Sequence, residues 1–281
     1  MPPEIDALTS STLRHLRERW WNDSFTSFLE ESLRPRPGKR ILHVGCGNGT
    51  GEVSLSRLRL SQIQLFGVDL LMHRLRQARE ATRGANARAS YAQSDACRLP
   101  FRAGVFDSSY CVAVLQHIRD FGQALGEMAR VTKPNGRILV VEPDNAEVYW
   151  FSSLPSGVEA FDLGRRFFAE RGAARDEPAA TAVGPQVPGL FAAHGIEPLS
   201  VQLFPVSVAH VGVPEDELWE IRRKAVLEAV ADAPNESLRR LGSDYLKAVD
   251  RYATEARAAG STFVEIQNTL LVATAGQRAE T

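Results

Sequence analysis

Cysteine is scarce in this 281-residue chain: Cys46, Cys97 and Cys111 are the only three. So few, at such spacing, build neither a disulfide framework nor a zinc site, and no metal is expected. They suit a reducing cytoplasm, the expected location, where they act as small apolar side chains. A charge excess is missing as well. The formal net charge is −1, whereas a surface that grips a nucleic-acid backbone favours a clear basic balance. No apolar run approaches the length of a membrane span, and the N-terminus lacks the basic-then-apolar layout of a signal peptide. Internal repeats and low-complexity tracts are also lacking. What remains is the composition of a soluble globular protein, 44% hydrophobic and 24% charged, long enough for one large domain or a domain with a cap. Arginine far outnumbers lysine and alanine is abundant, which reflects coding bias rather than chemistry.

Glycine is present where it matters. Ile41-Leu42-His43-Val44 runs into Gly45-Cys46-Gly47-Asn48-Gly49-Thr50, a short apolar strand that breaks into alternating glycines before helix-forming sequence. Residues without a Cβ let backbone approach a ligand and adopt φ values other residues avoid. A turn of this kind belongs at the carboxyl end of the first strand of a doubly wound sheet, where nucleotide-like ligands bind.

The rest of the chain alternates in the same rhythm. A helix capped by Thr9-Ser10-Ser11 is expected through Leu13, Leu16 and Trp20 to Leu29, ended by Pro35, Pro37 and Gly38. Strands are expected at Arg40–Val44, 63–68, Ala89–Gln93, Phe106–Val112 and 137–141. Helices fall between them: one after the glycines carrying Val53, Leu55 and Leu58, one over 71–82, and one over 121–132. The turn Lys133-Pro134-Asn135-Gly136 precedes the fifth strand. Residues 145–183 break the rhythm with Tyr149, Trp150, Phe151, Phe161, Phe167 and Phe168. A helix over 187–194, a strand over 200–208, helical sequence over 214–259 and a last strand over 262–273 follow, with 275–281 as a polar tail. This alternation predicts an α/β fold, a doubly wound, mostly parallel seven-stranded sheet with an N-terminal helix and helical lid insertions. The expected organisation is 1–38 as a helical cap, 39–144 as a Rossmann-like cofactor-binding core, 145–183 as a lid, and 184–281 as the rest of the core with an insertion at 214–259.

Asp69 closes the second strand twenty-two positions after Gly47, where an acid reaches both hydroxyls of a ribose. To this point a nicotinamide-dinucleotide domain and an S-adenosylmethionine domain predict the same residues. Two features separate them. The third glycine of the dinucleotide fingerprint falls on Thr50, while Gly45, Gly47 and Gly49 alternate, which suits a ligand lacking a diphosphate. A second acid, Asp95, ends the third strand and is followed by Ala96-Cys97-Arg98-Leu99-Pro100-Phe101.

The segments "HVGCGNG", "GVDL", "SDACRLPF", "FDSSYCVAVLQHI" and "KPNGRILVVEP" resemble, in order and spacing, a class I S-adenosylmethionine-dependent methyltransferase of the small-molecule, ubiquinone/menaquinone-methyltransferase-like type. The resemblance covers Arg40–Val141 in motif detail and the closing strand in layout. It implies S-adenosylmethionine as cofactor, with Gly45, Cys46, Gly47, Asn48 and Gly49 passing under its methionine part. By the same resemblance Asp69 and Leu70 lie at the ribose, Asp95 and Ala96 at the adenine edge, and Val112 to Gln116 beside the sulfonium. Two positions depart from the family pattern. His43 stands where the family carries an acid that organises the amino-acid end of the cofactor, and Pro134-Asn135-Gly136 replaces Pro-Gly-Gly, a change that Asn tolerates.

Methyl transfer from a sulfonium is an in-line displacement, so the protein mainly positions the acceptor. His117, leaving the fourth strand, is a candidate base. Glu142, at the end of the fifth, is a second, with structural hydrogen bonding as the competing role. Within Arg165-Arg166-Phe167-Phe168-Ala169-Glu170-Arg171, Glu170 could accept a proton and the arginines clamp an anion, a set suited to C-methylation of a prenyl diphosphate-like alkene. The competing reading is an amphipathic helix with a solvated charged face and Phe in the core. The expected activity is O-, N- or C-methylation of a small, partly apolar metabolite in specialised metabolism. A methyltransferase fold reused as a cyclase, a non-catalytic binding protein and a nicotinamide-dependent dehydrogenase are the alternatives. A small-molecule acceptor is the expected partner, with no nucleic acid and no membrane, and a homodimer is left open.

Overall fold

The computed structural model describes residues 20–56, 63–84, 89–175, 182–213 and 215–280. Helix α1 (Asp23–Leu33) begins at its own cap, because the Asn22 side chain accepts the Phe25 N–H at 2.9 Å. A helix running on through Trp20 is therefore not formed, and the expected cap at Thr9-Ser10-Ser11 lies outside the described residues. Arg34, at φ 47°, ends α1 in the left-handed region. There follow β1 (Arg40–Val44), α2 (Thr50–Ser56), β2 (Gln64–Asp69), α3 (Met72–Gly84), β3 (Ala89–Gln93), β4 (Phe106–Val112) and α4 (Phe121–Val131). Next come β5 (Thr132–Ser152), α5 (Pro155–Arg175), α6 (Val187–Ala193), β6 (Ile196–Val211), α7 (Asp216–Ala231), α8 (Glu236–Ala259) and β7 (Val264–Arg278). Leu58, expected on α2, is outside the described residues. Among the described residues no helix is long and apolar enough to cross a membrane.

The strands form one seven-stranded sheet in the order β3-β2-β1-β4-β5-β7-β6. β1 pairs in parallel with β2 and β4, β2 with β3, and β4 with β5. The winding reverses between β1 and β4, and in open α/β sheets the crevice at such a reversal is where ligands bind. The glycine turn leaves β1 at that point, and Leu115–His117, a single 3₁₀ turn, leaves β4.

Two compact units divide the chain. Of the described residues, the first holds 20–56, 63–84, 89–144, 182–204 and 271–280. Its core is one apolar cluster that includes Leu42, Val44, Val68, Phe106, Leu125, Met128, Val140 and Phe191. β5 does not wait for Arg137. It starts at Thr132, and Pro134-Asn135-Gly136 is absorbed as a bulge, with Phe106 opposite Thr132 but Ser108 opposite Arg137. Asn135 takes φ 60° there, which Asn accepts at low cost. The polar tail is also shorter than expected. β7 runs to Arg278 because Ala275 is buried and Gly276 lies so close to Phe191 that a Cβ would stand 2.6 Å from its ring.

The second unit joins 145–175, 205–213 and 215–270. It is larger than an insertion limited to 214–259, and its centre draws on both 145–175 and 215–270. Trp219, Tyr252 and Phe263 interlock with ring centroids 5.2 to 6.4 Å apart. The Arg222 guanidinium lies over the Trp150 and Trp219 rings at 5.5 and 5.0 Å. It donates to both oxygens of the fully buried Glu265, at 2.9 and 2.5 Å, and the Tyr252 hydroxyl donates to the same carboxylate at 2.8 Å. A buried charge pair is tolerated when its remaining lone pairs are satisfied in this way.

On α5, Phe167 is fully buried beside Ala233 and Leu238, while Arg165, Arg166 and Glu170 are exposed. Around Phe167 the helix thus turns its charged side chains to solvent. At the free edge of the sheet, Leu199, Val201 and Leu203 of β6 alternate along one face and are each about half exposed.

Candidate functional site

The first turn after β1 is held by backbone bonds to its neighbour strand. Cys46 N–H donates to the Val68 carbonyl at 2.9 Å, and Gly47 N–H donates to Asp69 Oδ2 at 2.9 Å. Gly45, Gly47 and Gly49 take φ values of 68°, 54° and 85°, all in the region that favours glycine. Their surroundings differ. A Cβ on Gly45 would stand 2.4 Å from Val114 Cγ2, and one on Gly49 2.9 Å from Ala78 Cα. One on Gly47 would meet nothing within 4 Å. The outer glycines therefore serve packing, and the middle one presents bare backbone to open space. Asn48 Oδ1 accepts the Thr50 hydroxyl at 2.8 Å, and Cys46 is buried beneath. Burial, then the negative charges of Glu52 and Asp69, raise the Cys46 thiol far above its ordinary range, so it stays neutral.

Asp69 is buried, and its second oxygen, Oδ1, accepts the Leu71 N–H at 2.9 Å. The carboxylate thus joins the glycine turn to the start of α3, and each oxygen keeps a further lone pair. Leu70 is half exposed, its carbonyl accepting from Gln93 Nε2 at 2.8 Å. Asp95 is exposed beyond β3. Its Oδ1 accepts the Cys97 N–H at 2.9 Å and so shapes the turn that carries the half-buried Ala96. The Gly47 N–H is therefore tied to the Asp69 carboxylate at the end of β2, with Leu70 next in the chain, and Asp95 and Ala96 follow the end of β3, which pairs with β2.

The exit from β4 is strained and firmly held. Ala113 has φ 54°, a costly value for a residue with a Cβ, and such values cluster at functional sites. Its N–H donates to the Val141 carbonyl at 2.7 Å. Glu142 is fully buried; Oε1 accepts the N–H groups of Val114 and Leu115, both at 2.8 Å, and Oε2 accepts that of Gln116 at 3.3 Å. Three backbone donors from the exit of β4 converge on this one carboxylate. Glu142 thus takes up the structural hydrogen-bonding role weighed for it, shaping the 3₁₀ turn, and it lies within β5 rather than at its end. Val112 is half buried, Gln116 buried and His117 exposed. Glu170 belongs to the second unit, on the exposed face of α5, and none of the other site residues lies in that unit.

One pair was not visible in the sequence. His43, in the position where an acid was expected, is buried and stacks on Tyr110 with centroids 4.1 Å apart. Its Nδ1 lies 3.1 Å from Oε1 of Glu52, which is wholly buried on α2. The available signal was an acid among the small and apolar residues Gly51, Val53, Ser54 and Leu55.

Comparison with known proteins agrees with this geometry. The family described as "Methyltransferase domain" matches residues 42–140. A demethylmenaquinone methyltransferase of Thermus thermophilus is 30% identical over 172 residues, covering 61% of this chain and 70% of that protein. An O-methyltransferase of Pyrenophora dematioidea is 30% identical over 39% of this chain and 41% of its own length. The chain spans between about a third and a little over half of the length of several curated relatives it matches. The crystal structure of the YcgJ protein from Bacillus subtilis shares the fold, with a TM-score of 0.57 at 18% identity over 91% of this chain and 98% of that one. The turn after β1, the acids ending β2 and β3, and a relative matched over most of its length lead to one conclusion: the chain belongs to the class I S-adenosylmethionine-dependent methyltransferases.

Proposed function

We propose that this chain methylates a small, partly apolar molecule at oxygen, nitrogen or carbon. The observation that carries the proposal is Gly47: its N–H is fixed on the buried Asp69, and its Cα side faces open space. That cradle fits the methionyl chain of an adenosyl sulfonium better than a diphosphate, which would call for a run of free N–H donors. When bound, S-adenosylmethionine supplies an electrophilic methyl group on a sulfonium.

The roles of the protein groups follow from their places. Gly45 to Gly49 present backbone to the methionyl part. Asp69, with Leu70, receives the ribose hydroxyls on lone pairs left over from Gly47 and Leu71. Asp95 and Ala96 border the base, and the turn from Val112 to Gln116, set by Glu142, borders the reacting centre. His117, exposed at the end of that turn, is the residue assigned to proton removal when the acceptor needs it. Tyr149 and Phe151, two apart on β5 and both exposed, give the second unit an apolar surface of its own. The charged face of α5 is solvated, so no observation favours the prenyl diphosphate reading.

Calorimetric titration with S-adenosylmethionine tests the proposal. Binding is expected, weakened about tenfold or more in Asp69→Ala. Absence of binding in the unaltered protein would sink it. A screen of candidate acceptors by mass spectrometry is expected to find a product heavier by one CH₂.

A further inference from the structure

Glu52 carries more than a structural bond. Its Oε1 faces His43 Nδ1, but Oε2 has no hydrogen-bond partner among the described residues. The same holds for His43 Nε2 and for the Tyr110 hydroxyl, and all three side chains are more than nine-tenths buried. The three belong to one cluster. A Cβ on Gly51, next to Glu52, would stand 2.8 Å from the Tyr110 hydroxyl, 2.9 Å from His43 Cε1 and 2.9 Å from Trp21 Cη2. The charge of Glu52 also helps burial raise the Tyr110 hydroxyl.

A buried polar atom left without a partner is costly, and more so when it is charged. A carboxylate oxygen can only accept, so whatever completes Glu52 must donate, and a cationic donor gives the strongest bond. The cluster adjoins the glycine turn at both ends: His43 precedes Gly45 by two residues, and Glu52 follows Gly49 by three. Position 43 is where the resemblance places the acid that serves the amino-acid end of the cofactor. Here that position is an imidazole, and a carboxylate arrives from α2 to bond it.

Resting on the methyltransferase reading above, we infer that Glu52 has taken over from the missing strand acid: its carboxylate, positioned by His43, receives the α-ammonium group of the bound cofactor. The charge needed at this end of the site is thus retained in the fold but supplied by a different element. His43 acts as a positioning residue, holding one oxygen so that the other stays available.

The test compares S-adenosylhomocysteine with 5′-methylthioadenosine, an adenosyl thioether without the amino-acid end, by calorimetry on the unaltered protein, Glu52→Gln and the double variant His43→Asp/Glu52→Gln. Glu52→Gln is expected to weaken S-adenosylhomocysteine by about tenfold or more while leaving methylthioadenosine unchanged, and adding His43→Asp is expected to restore much of the loss. Equal weakening of both compounds, or no weakening of either, overturns the inference. If Glu52→Gln does not fold, the unaltered protein is titrated with S-adenosylhomocysteine lacking its amino group. Binding as tight as that of the parent compound overturns the inference, and a loss of about tenfold or more supports it. Failure of the unaltered protein to bind either thioether defeats the methyltransferase reading itself, which separates the two outcomes.

Discussion

Val114 donates its N–H to Glu142 across 28 positions of sequence, at 2.8 Å, and Val114 is also the side chain against which Gly45 is packed. The exits of β1 and β4 are therefore braced together, and the brace ends on a carboxylate in the middle of the sheet.

Replacing that carboxylate by its amide is expected to be costly. In Glu142→Gln the side-chain NH₂ turns toward a backbone N–H, leaving at least one buried donor unpaired. The expected loss is about 1–3 kcal/mol. Thermal unfolding should show a midpoint several degrees lower, together with weaker cofactor binding. An unchanged midpoint would show that the brace is dispensable.

Gly47→Ala separates the ligand from the fold. The new methyl meets nothing in the protein, so the stability cost is limited to the left-handed backbone, about 1–2 kcal/mol. Affinity for S-adenosylmethionine is expected to fall by more than about tenfold, because the methyl occupies the space left for the ligand. Gly45→Ala should do the opposite and act mainly on stability. Calorimetry and thermal melts on the same two variants check both directions.

Acid sensitivity should have one traceable source in Asp107. Burial raises its carboxyl, but the Arg40 N–H and then the ammonium groups of Lys133 and Lys39 outweigh this and bring it to about 2. Its ordinary value is 3.8, so the folded state is favoured above that value, and the contribution disappears as pH falls through about 2. With both lysines half exposed, the contribution is at most about 2 kcal/mol. Asp107→Asn is expected to flatten the pH dependence of stability between about 4 and 2, measured by denaturant titration at each pH.

Much of the sheet was legible because each strand is an apolar run punctuated by glycine or an acid. β1, β3 and β4 fall on the residues expected, and β2 is shifted by one residue, to Gln64–Asp69. β5 was harder, since Pro134-Asn135-Gly136 reads as a turn, and only pairing with β4 shows that it is a bulge. Helix α5 was legible around Phe167, but its full length from Pro155 to Arg175 was not. Gly157 and Gly164 look like interruptions, yet a Cβ on either would run into Tyr252 or Tyr245 of α8, so they mark close helix contact. Motif order marked the strand ends where Gly47, Asp69 and Asp95 lie. The three backbone donors on Glu142 and the pairing of His43 with Glu52 were not legible, because each depends on a neighbour that only the fold brings close.

Among the described residues, Leu199, Val201 and Leu203 lie on the strand that ends the sheet order, and Pro198 and Pro205 bracket them. Proline cannot donate to a ladder, so the two prolines limit this apolar stretch to a six-residue window for recruiting another chain. Concentrated solutions should therefore fail by stacking through this short window, and a single lysine placed there is enough to keep the protein dispersed.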